Sequence, residues 1–271
     1  MKKLVTLILL FFSTVTFAEE VSRDYVLESL KKIVRTPEFI ERSVNAYGLT
    51  GPAKQVIKNH FIEIYKSDEL IIRIVDEMIN ARMLENNSKS LQENFAAGRK
   101  FGSELVFNLT IKGMSRLEPK DQRVFISFTR LFLDGLTYDQ CKNYLVNGGS
   151  MTALENSKLE AKVYGVFSQV QLENYFSISR KALFAELRDF PQPKTMNVNE
   201  QEIASNAFQK EFLNMLSTTK VSPEVVAAMG DFSAATPKDA CDSGKLIFDV
   251  LSNMKGFAGD LMIRSFVLNI Q

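Results

Sequence analysis

Five prolines in this sequence stand where a helix can begin. Thr36-Pro37-Glu38, Gly51-Pro52, Glu118-Pro119-Lys120-Asp121, Ser222-Pro223-Glu224 and Thr236-Pro237-Lys238-Asp239 each place Pro in a first turn, where its missing N–H costs nothing. Ser, Thr or Asp beside it supplies a capping oxygen or a favourable charge. A chain punctuated in this way is committed to many helices.

Between these starts the apolar residues return at three- and four-residue steps, the amphipathic-helix signal. Val56, Phe61, Ile64 and Tyr65 form one stripe, and Leu70, Ile71, Ile74, Val75, Met78 and Ile79 form a stronger one behind the Ser67-Asp68 cap. Phe95, Phe101, Leu105, Val106 and Leu109 continue the pattern. Long runs of strict alternation, the strand signal, are scarce. The sequence therefore predicts an all-α fold, a multi-helix globular bundle. Its helices are expected near 22–35, 37–47, 52–66, 68–85, 89–116, 119–134, 137–146, 151–189 with at least one break, 199–217, 222–230, 237–253 and 257–269.

Several local features refine this picture. Two prolines in Phe190-Pro191-Gln192-Pro193 block helix continuation. The stretch is either a loop between helices or, near 190–198, the junction of two packed helical subdomains. Residues 119–146 and 223–253 echo each other, each a Pro-started helix followed by a helix with a Cys in its first turns. Gly98 and Gly102 share a helix face and would let a neighbour approach closely. The segment from Val124 to Leu133 is apolar nearly all round and reads as a central buried helix.

The N-terminus bears on compartment. Lys2 and Lys3 precede an apolar run from Leu4 to Phe12, and Thr16 and Ala18 occupy the small-residue positions before Glu19. This is the pattern of a cleavable secretory signal over 1–18, too short to span a bilayer. No Cys follows to carry a lipid, so residues 19–271 are expected as a free helical domain without an integral membrane segment. The chain holds 33 basic and 32 acidic residues, and the signal removes two lysines. A near-neutral balance offers no footprint for nucleic acid or an anionic membrane. Cys141 and Cys241 are the two cysteines. In an oxidising compartment they are expected to pair, which would stabilise the fold by up to about 4–5 kcal/mol in the chain-entropy picture.

The residues narrow the chemistry further. His60 is the single histidine, so the two-histidine zinc helix cannot form, and no CxxC pair occurs. The Gly-x-Ser-x-Gly elbow of many hydrolases is missing. His60, beside Lys58 and Asn59, reads as a solvated surface residue. Gly148-Gly149-Ser150 reads as a turn and helix cap, not a phosphate cradle. Glu28-Ser29 is the dipeptide of helical lytic transglycosylases, but its surroundings are those of an ordinary amphipathic helix, which places Glu28 on a solvated face. No catalytic, cofactor-binding or metal-ligating residue is nominated, and no cofactor is expected. What is left is a periplasmic or secreted binding protein of the inhibitor, immunity or assembly-factor type, whose partner is another envelope or secreted protein. The alternatives are a carboxylate-dependent enzyme acting on peptidoglycan and a carrier of lipid or another small molecule.

Overall fold

The computed structural model describes residues 22–82, 91–147 and 153–269. The signal segment 1–18 and Gly148-Gly149-Ser150 lie outside them. Among the described residues the fold is all-α, with 13 helices and no strand. The helices are α1 (Arg23–Val34), α2 (Pro37–Asn45), α3 (Gly51–Tyr65), α4 (Asp68–Asn80), α5 (Leu91–Met114), α6 (Pro119–Asp134) and α7 (Tyr138–Asn147). They continue as α8 (Ala153–Tyr164), α9 (Gln169–Leu187), α10 (Val198–Thr218), α11 (Pro223–Ala228), α12 (Pro237–Asn253) and α13 (Gly256–Asn269).

The helix starts behave as the sequence predicts, with two exceptions. Thr36, Ser67, Ser222 and Thr236 each accept a side-chain hydrogen bond from the amide three residues on, an arrangement worth about 1 kcal/mol apiece. Thr50 and Glu118 make no such bond, and Glu118 pairs with Lys194 instead. The helix expected over 68–85 stops at Asn80, because Arg82 turns into the left-handed region at φ 51°. The long stretch 151–189 breaks at Gly165-Val166-Phe167, after which Ser168 and Gln171 form a capping box that starts α9.

Two helices organise the packing. α9 lies along α5 and also touches α3 and α6, while α6 carries α12 and α13 on its other side. Ile126, Phe128, Phe132 and Leu133 of α6 are buried, so the segment from Val124 to Leu133 is central as read, but it is not buried all round, since Ser127 and Leu131 are exposed. The largest apolar cluster runs from Ile40 and Val44 on α2, through Phe132 on α6, to Phe248 and Leu251 on α12.

The close helix approach falls elsewhere than expected. Among the described residues a Cβ at Gly98 or Gly102 would meet nothing within 4 Å, whereas one at Gly113 would lie 1.9 Å from the Ala182 carbonyl oxygen. α5 and α9 cross near the C-terminal end of α5, where Met114 packs with Ile178 and Ala182. Only a residue without a side chain fits at 113.

The Pro-rich segment after α9 is tied back to this core. The Arg116 guanidinium, 8% exposed, donates to Glu186 at 2.6 Å, to Asp189 at 2.6 Å and to the Pro191 carbonyl at 3.1 Å.

Candidate functional site

The cysteines expected to pair do so. Cys141 on α7 and Cys241 on α12 form a disulfide with Cα atoms 5.4 Å apart and both residues wholly buried. It joins positions 100 residues apart in sequence. One turn further along α7, Leu145 packs against Gly244 so closely that a Cβ there would lie 2.5 Å from a Leu145 methyl. The α7–α12 contact is thus fixed by a covalent bond and a missing side chain together, and it sets the position of Tyr144.

Tyr144 is one of four tyrosines around a single acid. Glu160, Val163 and Tyr164 share a face of α8, since residues three and four apart are helix neighbours. Val163 is wholly buried against Gly135, in the turn that ends α6. The second tyrosine, Tyr164, is 2% exposed. Tyr47, from the α2–α3 turn, stacks on Tyr164 with ring centroids 6.3 Å apart. Tyr175, from α9, lies 6.2 Å from Tyr164 and stacks on Phe128 at 3.7 Å. The α2–α3 turn and the two helices that flank α8 in sequence therefore converge on its last turn.

The carboxyl at the centre is electrostatically unusual. Glu160 as a whole keeps some exposed surface, but burial of its carboxyl pushes the pKa up to about 7 from an ordinary 4.5, and a hydrogen bond from Tyr164 restrains the rise. The Tyr164 hydroxyl is also bonded to that of Tyr175. The phenols respond in turn. Burial pushes Tyr144 up to about 12, and burial together with the nearby carboxylate raises Tyr47, Tyr164 and Tyr175.

His60 is not the solvated residue its sequence neighbours imply. Its ring lies tilted against Phe176 with centroids 4.5 Å apart, and its Nδ1 accepts a hydrogen bond from Arg180 at 3.3 Å. Because guanidinium only donates, Nδ1 is bare and the ring proton sits on Nε2. Burial, and secondarily the Arg180 charge, pull the imidazole pKa down to about 3. Lys58 and Asn59 misled the reading because they point away: Lys58 pairs with Glu41, and Asn59 accepts from Gln55.

Glu160 and the tyrosines were not anticipated from sequence. The available signal was a Glu sharing a helix face with Val163 and Tyr164, a face too apolar for a solvated acid. Glu28 does lie exposed as expected, paired with Lys31. Among the described residues no group of three or more His, Cys, Asp or Glu side chains is placed to hold a metal ion, and no helix is long and apolar enough to cross a membrane.

Just outside the tyrosine cluster the surface turns apolar. Val166 and Val170, 73% and 64% exposed, flank the α8–α9 turn. Leu49 of the α2–α3 turn lies beside it, 3.6 Å from where a Gly165 Cβ would sit. A surface depression bordered by Thr195, Gln201, Ser265 and Asn269 lies elsewhere, between the start of α10 and the end of α13. Compared with protein-family models, with curated proteins and with solved structures, the chain matches none.

Proposed function

We propose that this protein acts without catalysis, in the periplasm or after secretion, by binding another envelope or secreted protein. The observation that carries the reading is the exposed apolar pair Val166 and Val170 beside Leu49. Fully burying one such valine is worth about 1.5–3 kcal/mol, so a partner covering this turn gains from both. The wholly buried disulfide supports an oxidising compartment. A photo-crosslinking amino acid placed at Val166, at Val170 and, as a control, at the exposed Gln209 of α10 tests the surface in cell-envelope preparations. One protein adduct is expected from positions 166 and 170 and none from 209. Adducts from all three alike, or from none, would sink the proposal.

Glu160 favours a second reading, a carboxylate-dependent enzyme acting on peptidoglycan, because glycan cleavage needs an acid that keeps its proton near neutral pH. The four phenol rings crowded round that carboxyl weigh against it. In this reading the protein would release soluble fragments from purified peptidoglycan and Glu160→Gln would not, while both gave the same helical circular dichroism spectrum. An inactive wild-type protein removes it.

A further inference from the structure

Residues 192–197 run from α9 to α10 without a turn or bend, and Asn197 is in the extended region of the backbone. Pro193 fixes its own φ, and Gln192, as the residue before a proline, is held extended as well. Both ends are fastened. Gln192 donates to the Asp189 carbonyl at 2.7 Å and Arg116 to that of Pro191 at 3.1 Å, while Asn197 enters the capping box that starts α10. Between those anchors the main chain is unpaired. Among the described residues the amides of Lys194, Thr195 and Met196 and the carbonyls of Pro193, Lys194 and Thr195 make no hydrogen bond, and Lys194 and Thr195 are exposed. We propose that this segment, with the depression beside it, is a site for an extended, uncharged peptide segment of a partner protein, which pairs with the main chain at Thr195. The inference goes beyond the binding reading and does not rest on it, since the Val166 turn takes no part.

A straight, unpaired edge is a template on which another strand can add its hydrogen bonds. Pro193 and the Lys194 charge, which pairs with Glu118 at 3.2 Å, blunt the start of this one. Thr195, neutral and with both main-chain groups free, is the position that remains open. The surface is hollowed there. The depression between the start of α10 and the end of α13 holds about 280 Å³, and no charged side chain lines it among the described residues. Pockets for small molecules run from about 300 to 1,000 Å³, so this one suits a side chain or two better than a whole cofactor. Gln201 Nε2 donates to the Met196 carbonyl at 3.5 Å, and Asn269 Nδ2 to the Ser265 carbonyl at 2.9 Å. That leaves Gln201 Oε1 and Asn269 Oδ1 as acceptors. Free acceptors in the hollow and free amides along its rim call for a ligand that donates, accepts and carries no charge. A sugar does so too, but the free groups at 193–196 repeat along a main chain, which another main chain matches. Because the segment is already straight and fastened, little of it has to be ordered on binding.

Linear heptapeptides displayed on phage and selected on the whole chain are the probe, with the selected sequences then made as free peptides. Uncharged binders are expected that shift the amide resonances of Thr195 and Gln201. Methylating one main-chain nitrogen of such a peptide should weaken it about tenfold, the usual worth of a hydrogen bond. Thr195→Pro, which removes the protein's own donor, should weaken it as much, whereas Thr195→Val, which keeps the amide, should not. If Thr195→Pro does not fold, the methylated peptides decide alone. A selection without binders, binders that shift Val166 and Val170 instead of Thr195, or affinities indifferent to N-methylation and to Thr195→Pro would overturn the site. So would N-acetylglucosamine that shifts the same resonances and displaces the peptides. The crosslinks at 166 and 170 do not enter this test, so either idea can fail alone.

Discussion

Glu160 and His60 belong to one aromatic array, joined through Phe176, which packs against His60 on one side and Tyr164 on the other. Burial treats both alike, disfavouring whichever form carries charge, so the acid keeps its proton and the base refuses one. Their partners make the difference. Tyr164 offers Glu160 a neutral donor that stabilises the anion, which leaves the acid titratable near pH 7. Arg180 offers His60 a cation, which deepens the refusal and keeps the imidazole neutral well below pH 5. Burial sets the direction in both, and one neighbour either checks the shift, as Tyr164 does at Glu160, or deepens it, as Arg180 does at His60.

The largest effect that can break this comparison comes from the disulfide. Cys141→Ala with Cys241→Ala should cost up to about 4–5 kcal/mol in urea unfolding, the chain-entropy value for so long a loop. The bond holds α7, which carries Tyr144, so the Glu160 cluster should loosen while the α3–α9 contact around His60 stays. The Glu160 pKa should fall back toward 4.5 in that variant, and a carboxyl resonance still titrating near 7 would show that the cluster does not depend on the bond. Next in size is His60→Gln, which stays neutral at every pH. Below about pH 6.5 the unfolded state gains a proton that the folded imidazole refuses, so wild-type stability falls as the pH drops toward 3. Allowing for residual exposure to water, the variant should be more stable than wild type by about 3–4 kcal/mol near pH 3 and nearly equal to it at pH 7.5.

Glu160→Gln is smaller and opposite in sense. Between about pH 4.5 and 7 the folded acid holds a proton that the unfolded chain has lost, so wild-type stability falls as pH rises through that window. The variant removes this loss and should exceed wild type by about 2–3 kcal/mol at pH 8, with little difference at pH 4. From 4.5 to 6.5 the two wild-type slopes oppose each other. The double variant should therefore show a flatter profile than either single one, and urea midpoints collected across that range decide it.

How much of this was legible in the sequence depends on distance along the chain. The helices were readable because caps such as Ser67 and Thr236, first-turn prolines and apolar spacing are local signals. α6 and α12 begin and end where their residues predict. The Cys141–Cys241 pair was readable from the count of two cysteines and from the export expected of the N-terminal pattern. Gly113 was not, because its use depends on where α9 crosses, and Gly98 with Gly102 carried the same local signal without a neighbour among the described residues to receive it. The Glu160 cluster was hardest, since Tyr47, Tyr144 and Tyr175 meet it only through three separate tertiary contacts. His60 went the same way, judged by Lys58 and Asn59 when Phe176 and Arg180, far along the chain, decide its state.

The smallest prediction is a control on the comparison itself. α9 carries Tyr175 toward Glu160 and both Phe176 and Arg180 toward His60, so a fault in the start of this helix reaches both regions at once. Ser168 begins it, accepting from the Gln171 amide while the Gln171 side chain accepts from the Ser168 amide. Ser168→Ala should cost about 1 kcal/mol, the usual worth of such a cap. No titrating group takes part in the cap, so the cost should be the same at pH 5 and pH 8. If it changes with pH by as much as the cap is worth, then the slopes assigned to Glu160 and His60 arise partly from how α9 is seated, and burial with the two neighbours no longer explains them alone.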